Sequence, residues 1–184
     1  GKNKQSNAIK LVYITPLRAL SRDLGKAIQE PIQDMNWEIR VGIRNGDTKN
    51  SERTKQIKSP PDILITTPES LSVLISNQKA RDILGCVDTV ILDEWHELLG
   101  SKRGTQTELC VSWLREQNPK LQTWAISATI GNLHEAGKHA LGSKEQGTII
   151  TGSHTRITEI RSLLPESIDG FPWAGHLGLR MYEE

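Results

Sequence analysis

The stretch Val90-Ile91-Leu92-Asp93-Glu94 limits the possible folds more than any other part of this sequence. Three consecutive apolar residues suit a strand buried on both faces, and such strands belong to parallel sheets covered by helices. Asp93 and Glu94 are too polar to continue into a core. They are expected at the carboxyl rim of the sheet, where α/β proteins place their chemistry. Adjacent carboxylates there can divide the labour of a metal-nucleotide site. One holds Mg2+, through water, and the other polarises the water that attacks a terminal phosphate. A plainer reading makes them only the acidic start of the next helix. The rest of the chain decides between the two.

Apolar runs and helical spacings alternate along the sequence. Leu11-Val12-Tyr13-Ile14 ends at Thr15-Pro16, and Leu17, Leu20, Leu24, Ala27 and Ile28 follow at helical spacing. Thr15 is expected to cap that helix, with Pro16 as its first residue and Pro31 ending or kinking it. Ile39, Val41 and Ile43 alternate with Arg40, Gly42 and Arg44 as in a half-buried strand, and Gly46-Asp47 turns the chain into a charged helix over 51–58. Ile63-Leu64-Ile65 then leads through Thr67-Pro68-Glu69 into a helix bearing Leu71, Leu74 and Ile75. Past the acids, a loop over 100–104 precedes a helix with Leu109, Cys110, Trp113 and Leu114 on its apolar side. Trp124-Ala125-Ile126 reads as another buried strand, with Trp124 in the core, and Thr148-Ile149-Ile150 as strand-like. This alternation predicts an α/β fold, a mostly parallel sheet with helices on both faces.

The 184 residues are enough for one ordinary domain, and a net charge of +1 announces no polyanion partner, so any nucleic-acid contact must be local. Cys86 and Cys110 fall in no metal-ligand spacing and read as reduced core thiols. No apolar run reaches the ~18 residues of a membrane span and no signal-peptide pattern occurs, so a cytoplasmic protein away from the membrane is expected. The polar lead after Gly1 reads as the start of a fragment. A shift in composition after Thr151 divides residues 1–151 from 152–184, which read as a linker and the opening of a second domain.

Two connections are built alike. Thr15-Pro16 and Thr67-Pro68 each join a strand to a helix, presenting free amides and a helix dipole at one rim of the sheet. Such a start can bind phosphate, and Arg18 could add a direct charge. A single Thr-Pro is only a well-capped helix. Two of them, an Asp-Glu pair and a Ser127-Ala128-Thr129 corner on the same rim make a site.

The ordered set Thr15-Pro16-Leu17-Arg18, Gly46-Asp47-Thr48, Thr67-Pro68-Glu69-Ser70, Asp93-Glu94-Trp95-His96 and Ser127-Ala128-Thr129 resembles the first motor domain of a superfamily 2 DExH-box helicase. The stretches from Asp93 to Gly104 and from Ser127 to Leu133 are similar to the large helicase-related proteins, the bacterial ligase-associated DNA helicases above all. Phe171-Pro172-Trp173 extends the likeness into the linker region. The resemblance implies a RecA-like fold and an ATP-dependent DNA motor using ATP and Mg2+. Asp93 would hold Mg2+ and Glu94 would act as the base. His96, Ser127 and Thr129 would couple the nucleotide to the nucleic acid. Thr15, Pro16, Arg18, Gly46, Asp47, Thr67, Pro68 and Glu69 would grip single-stranded DNA by its backbone, as a motor that ignores sequence must. The resemblance also implies 3′-to-5′ movement and DNA repair, with a DNA ligase or nuclease as partner.

One family element is missing from the sequence: no GxxxxGK[ST] loop occurs, because Gly25-Lys26 and Gly137-Lys138 are followed by Ala27 and His139. Little ATPase activity is expected of this piece alone. The rival reading is a non-enzymatic nucleic-acid-binding or scaffolding module with a decayed helicase domain. A zinc protease fails because HExxH would need a histidine where Gly100 stands, and a small-molecule NTPase leaves the paired Thr-Pro starts unexplained.

Overall fold

The structure is a computed structural model that describes residues 8–142 and 147–152. Contacts divide the chain into two units between Ile149 and Ile150. The strand and helix expected beyond residue 152, with Trp173, lie outside the described residues.

The chain runs β1 (Leu11–Ile14), α1 (Arg18–Asp34), β2 (Val41–Arg44), α2 (Asn50–Lys58), β3 (Ile63–Thr66), α3 (Pro68–Ile75) and α4 (Ala80–Leu84). It continues through β4 (Thr89–Leu92), α5 (Trp95–Leu98), α6 (Lys102–Gln117), β5 (Gln122–Ala125) and α7 (Leu133–Leu141). The five strands form one sheet in the order β2-β3-β1-β4-β5, every pair parallel, so all five carboxyl ends lie on one edge. The α/β prediction holds, because each strand is too short and too apolar to bury itself without helical crossovers.

Side chains alternate across the sheet. Val12, Ile14, Leu64, Val90 and Leu92 point to one face and are fully buried with residues of α3, α4, α6 and α7. The opposite face carries α1 over β2 and β3. Gly25 lets that helix come close: a Cβ there would stand 2.8 Å from Ile43 Cδ1. The rest of this face is bared. Leu11, Tyr13 and Ile91 are only half-buried and Trp124 is 58% exposed.

Several expectations are corrected here. Trp124 is not core and β5 is not buried, because β5 is an edge strand whose neighbour on one side and cover on one face are absent among the described residues. Thr148–Ile150 forms no strand and is exposed. α1 begins after Leu17, so Thr15 does not cap it and Pro16 is not its first residue. It also passes through Pro31 to Asp34, packing Ser21, Gly25 and Ile32 rather than its leucines. α6 absorbs most of the expected 100–104 loop, with Ser101 Oγ accepting the Gly104 amide as its cap, and Leu109 on it is exposed. Burial pushes the Cys110 thiol up to about 11, but Cys86 is exposed. No helix among the described residues is long and apolar enough to cross a membrane.

Candidate active site and nucleic-acid edge

β4 delivers the two acids. Its last residue pairs with Ile14 of β1 and Ala125 of β5, and the Asp93 amide then donates to the Ile14 carbonyl at 2.9 Å. Asp93 continues the alternation of Tyr13 and Ile91 towards the bared face. The Tyr13 phenol hydrogen-bonds it. Burial, with the charges of Asp93 and Glu94 and that bond, pushes Tyr13 up to about 12. Sequence reading missed Tyr13 because it looked like one more apolar strand position.

Glu94 adopts a left-handed backbone, φ 46° and ψ 46°, which costs a side chain about 1–2 kcal/mol. Three contacts hold it there. Its amide donates to Asp93 Oδ1 at 3.0 Å, the Trp95 amide to the Ile126 carbonyl at 3.0 Å, and the buried Trp95 indole to the Ala136 carbonyl at 3.0 Å. The kink turns the chain off the strand and into α5 at once. His96 therefore stands on the first turn of α5, with Nδ1 at 2.8 Å from Ser127 Oγ and 3.4 Å from Glu94 Oε2. Its Nε2 lies 3.4 Å from Glu97. Thr129 is exposed, two residues beyond this bridge.

The other strand ends gather beside it. Thr15 and Thr67 are buried with their prolines, and Thr15 Oγ1 has no partner among the described residues. Arg18 leans over the next turn, where a Cβ on Gly46 would stand 2.9 Å from its guanidinium carbon, and pairs with Asp47 at 3.6 Å. Asn45, Thr48 and Arg53 brace that turn: Asn45 Oδ1 accepts the Asp47 amide, and Arg53 donates to the carbonyls of Asn45 and Thr48. Burial and the neighbouring Arg53 lower the pKa of buried Arg44. At α3, Thr67 takes the N-cap position without a side-chain bond to the helix amides, and Pro68 opens the helix. Burial would raise Glu69, but bonds from Arg103, from its own amide and from the Thr67 hydroxyl, with the Arg103 charge, hold it below the usual carboxylate range.

The oxygen-only pair of Asp93 and Glu94 suits a hard cation. Among the described residues no group of three or more His, Cys, Asp and Glu side chains gathers. The amide cradle for a triphosphate is not supplied by this sequence.

Residues 2–136 match the family model described as DEAD/DEAH box helicase. The chain belongs to that family. It is 35% identical over 175 residues to the ATP-dependent helicase Lhr-Core protein 2 of Thermococcus barophilus, covering 87% of itself and 20% of that relative. It is 36% identical to the Lhr helicase/uracil glycosylase of Escherichia coli, over 85% of itself and 11% of that protein. The solved structure of Mycobacterium smegmatis helicase Lhr bound to single-stranded DNA and AMP-PNP superposes with TM-score 0.64 at 34% identity, covering 71% of this chain and 18% of that one. The chain thus spans about a fifth or less of these relatives' length, and its sheet is the RecA-like sheet of that family.

Proposed function

We propose that this chain is part of the motor of an ATP-dependent DNA helicase or translocase, coupling hydrolysis of Mg-ATP to movement along single-stranded DNA. One observation carries the reading: His96 joins the acid Glu94 to Ser127, on the sheet edge that also bears both Thr-Pro turns. A nucleotide-dependent shift at Glu94 has a short path to that edge. The Lhr structure with single-stranded DNA and AMP-PNP supports the choice of ligands.

In this reading Asp93 would hold magnesium, which would supply positive charge to offset that of the phosphates. Glu94 takes the proton of the attacking water, its carboxylate held by the kinked backbone and within reach of His96. Tyr13 donates to Asp93 and orients that carboxylate. Arg18, the Gly46-Asp47 turn and the amides opening α1 and α3 face the strand's phosphates. The buried Thr15, Pro16, Thr67 and Pro68 shape those turns from beneath, and Thr129 with Ser127 relays the nucleotide state.

A strand and helix bearing the P-loop belong along the free edge of β5 and across Tyr13, Ile91 and Trp124, the surface a parallel sheet needs covered. Without them the 184-residue piece lacks ATPase activity. Residues 1–151 are read as the first RecA-like domain, and 152–184 as a linker and the start of the second. 3′-to-5′ movement and repair work beside a ligase or nuclease rest on sequence resemblance, and a cytoplasmic place rests on the sequence pattern.

The test is ATP turnover by the full-length protein with and without single-stranded DNA or RNA, for wild type and Glu94→Gln. DNA-stimulated turnover that falls by about 10²-fold or more in the variant is expected. Strand binding without any wild-type turnover would favour the non-enzymatic binding module instead.

A further inference from the structure

Arg103 is absorbed by none of these roles, yet it joins three distant parts of the edge. Its Nε and Nη2 form a fork on the two Glu69 oxygens at the start of α3, and Nη2 also donates to the Pro16 carbonyl at 2.8 Å. The residue itself is fixed from below. It is the second residue of α6, and the Thr107 hydroxyl donates to its carbonyl at 2.8 Å. Next to it, Gly104 packs so tightly on the end of α5 that a Cβ would stand 2.1 Å from the Leu98 carbonyl oxygen. α5 is the helix that begins directly after Glu94. The guanidinium thus stands on the segment that follows the acids and holds both Thr-Pro turns.

We propose that Arg103 is the positioning residue of the nucleic-acid edge. It sets the spacing between the Pro16 turn and the α3 start and ties both to α5 and α6. This rests on the helicase reading above. The planar fork is what does it: a lysine ammonium can satisfy one of these acceptors but cannot span the carboxylate and the carbonyl together. Glu69 completes the tie and is not itself displaced by the strand. The nearest rival is a latch, in which an arriving phosphate takes Arg103 from Glu69. The two make opposite predictions for Glu69.

The experiment measures affinity for a single-stranded oligonucleotide, and its salt dependence, in the full-length protein. Arg103→Ala and Arg103→Lys are each expected to weaken binding about tenfold, as loss of a charge-assisted hydrogen bond does. The oligonucleotide concentration for half-maximal ATPase stimulation rises alike, while turnover without nucleic acid stays at the wild-type rate. The slope of log affinity against log salt is unchanged, because no phosphate contact is lost. Glu69→Ala weakens binding to the same extent, and Arg103→Ala with Glu69→Ala is no worse than either alone. Thermal unfolding of each variant separates these effects from loss of fold. Tighter binding by Glu69→Ala, a slope reduced by about one in Arg103→Ala, or full rescue by lysine would overturn the proposal. So would variants that bind like wild type. A wild-type protein without nucleic-acid-stimulated turnover would instead sink the helicase reading, and this inference with it.

Discussion

His96 Nδ1 stands 2.8 Å from Ser127 Oγ, linking the turn after β4 to the turn after β5. The contact spans 31 residues of sequence, and the same ring nitrogen lies within 3.4 Å of Glu94. Groups that act through one bridge lose function together. Ser127→Ala and His96→Ala are therefore expected to lower nucleic-acid-stimulated turnover by similar factors, with the double variant no worse than either single one. Steady-state ATPase assays on the four proteins check this, and additive losses would break the link.

Trp95 anchors the kink from inside. It is 1% exposed, and its indole donates to Ala136 across 41 residues. Trp95→Phe removes that bond and some volume, and about 1 kcal/mol of stability is expected to go with the bond. Trp95→Ala adds a cavity and is expected to cost about 3–5 kcal/mol. Denaturant titration followed by circular dichroism reads both. Equal midpoints for the two variants would mean that the ring does not anchor the turn.

The Tyr13 phenol, pushed up to about 12, gives a titration with a definite sign. A group whose folded pKa lies above its unfolded value of ~10 contributes stability in full below that value. The contribution is lost as pH rises through 12. NMR of tyrosine labelled at Cζ, with Tyr13→Phe to assign the signal, follows the group directly. Asp93→Asn should bring it part of the way back towards 10, since burial remains. An unmoved titration in that variant would separate Tyr13 from the acids.

The open side of the sheet should show itself in solution. β5 leaves Trp124 58% and Ile126 47% exposed, beside a bared sheet face. Unpaired edges and apolar patches of this kind recruit other chains. The 184-residue chain alone is expected to self-associate, and Trp124→Lys to reduce that association. Sedimentation velocity decides it, and a monomer with one sharp unfolding transition would count against an uncovered seat.

Much of this was written locally. Short apolar runs ending in polar residues are enough to make buried parallel strands, so Asp93-Glu94, the Thr-Pro turns, Gly46-Asp47 and Ser127 had to emerge at carboxyl ends. Periodicity could not say which strand lies at the edge, because Trp124-Ala125-Ile126 and Val90-Ile91-Leu92 look alike until neighbours are assigned. Trp124 sits in an apolar run and is nonetheless exposed, while Trp95, whose pattern left its place open, is buried. Arg103 falls in the 100–104 stretch that reads as a loop, and only the packing of Gly104 against Leu98 aims it at Glu69 and Pro16. The sequence by itself determined which residues reach the sheet's rim, since hydrophobic patterning acts over a few residues. Which of them touch was decided by tertiary structure, because those contacts join segments 31 to 87 residues apart.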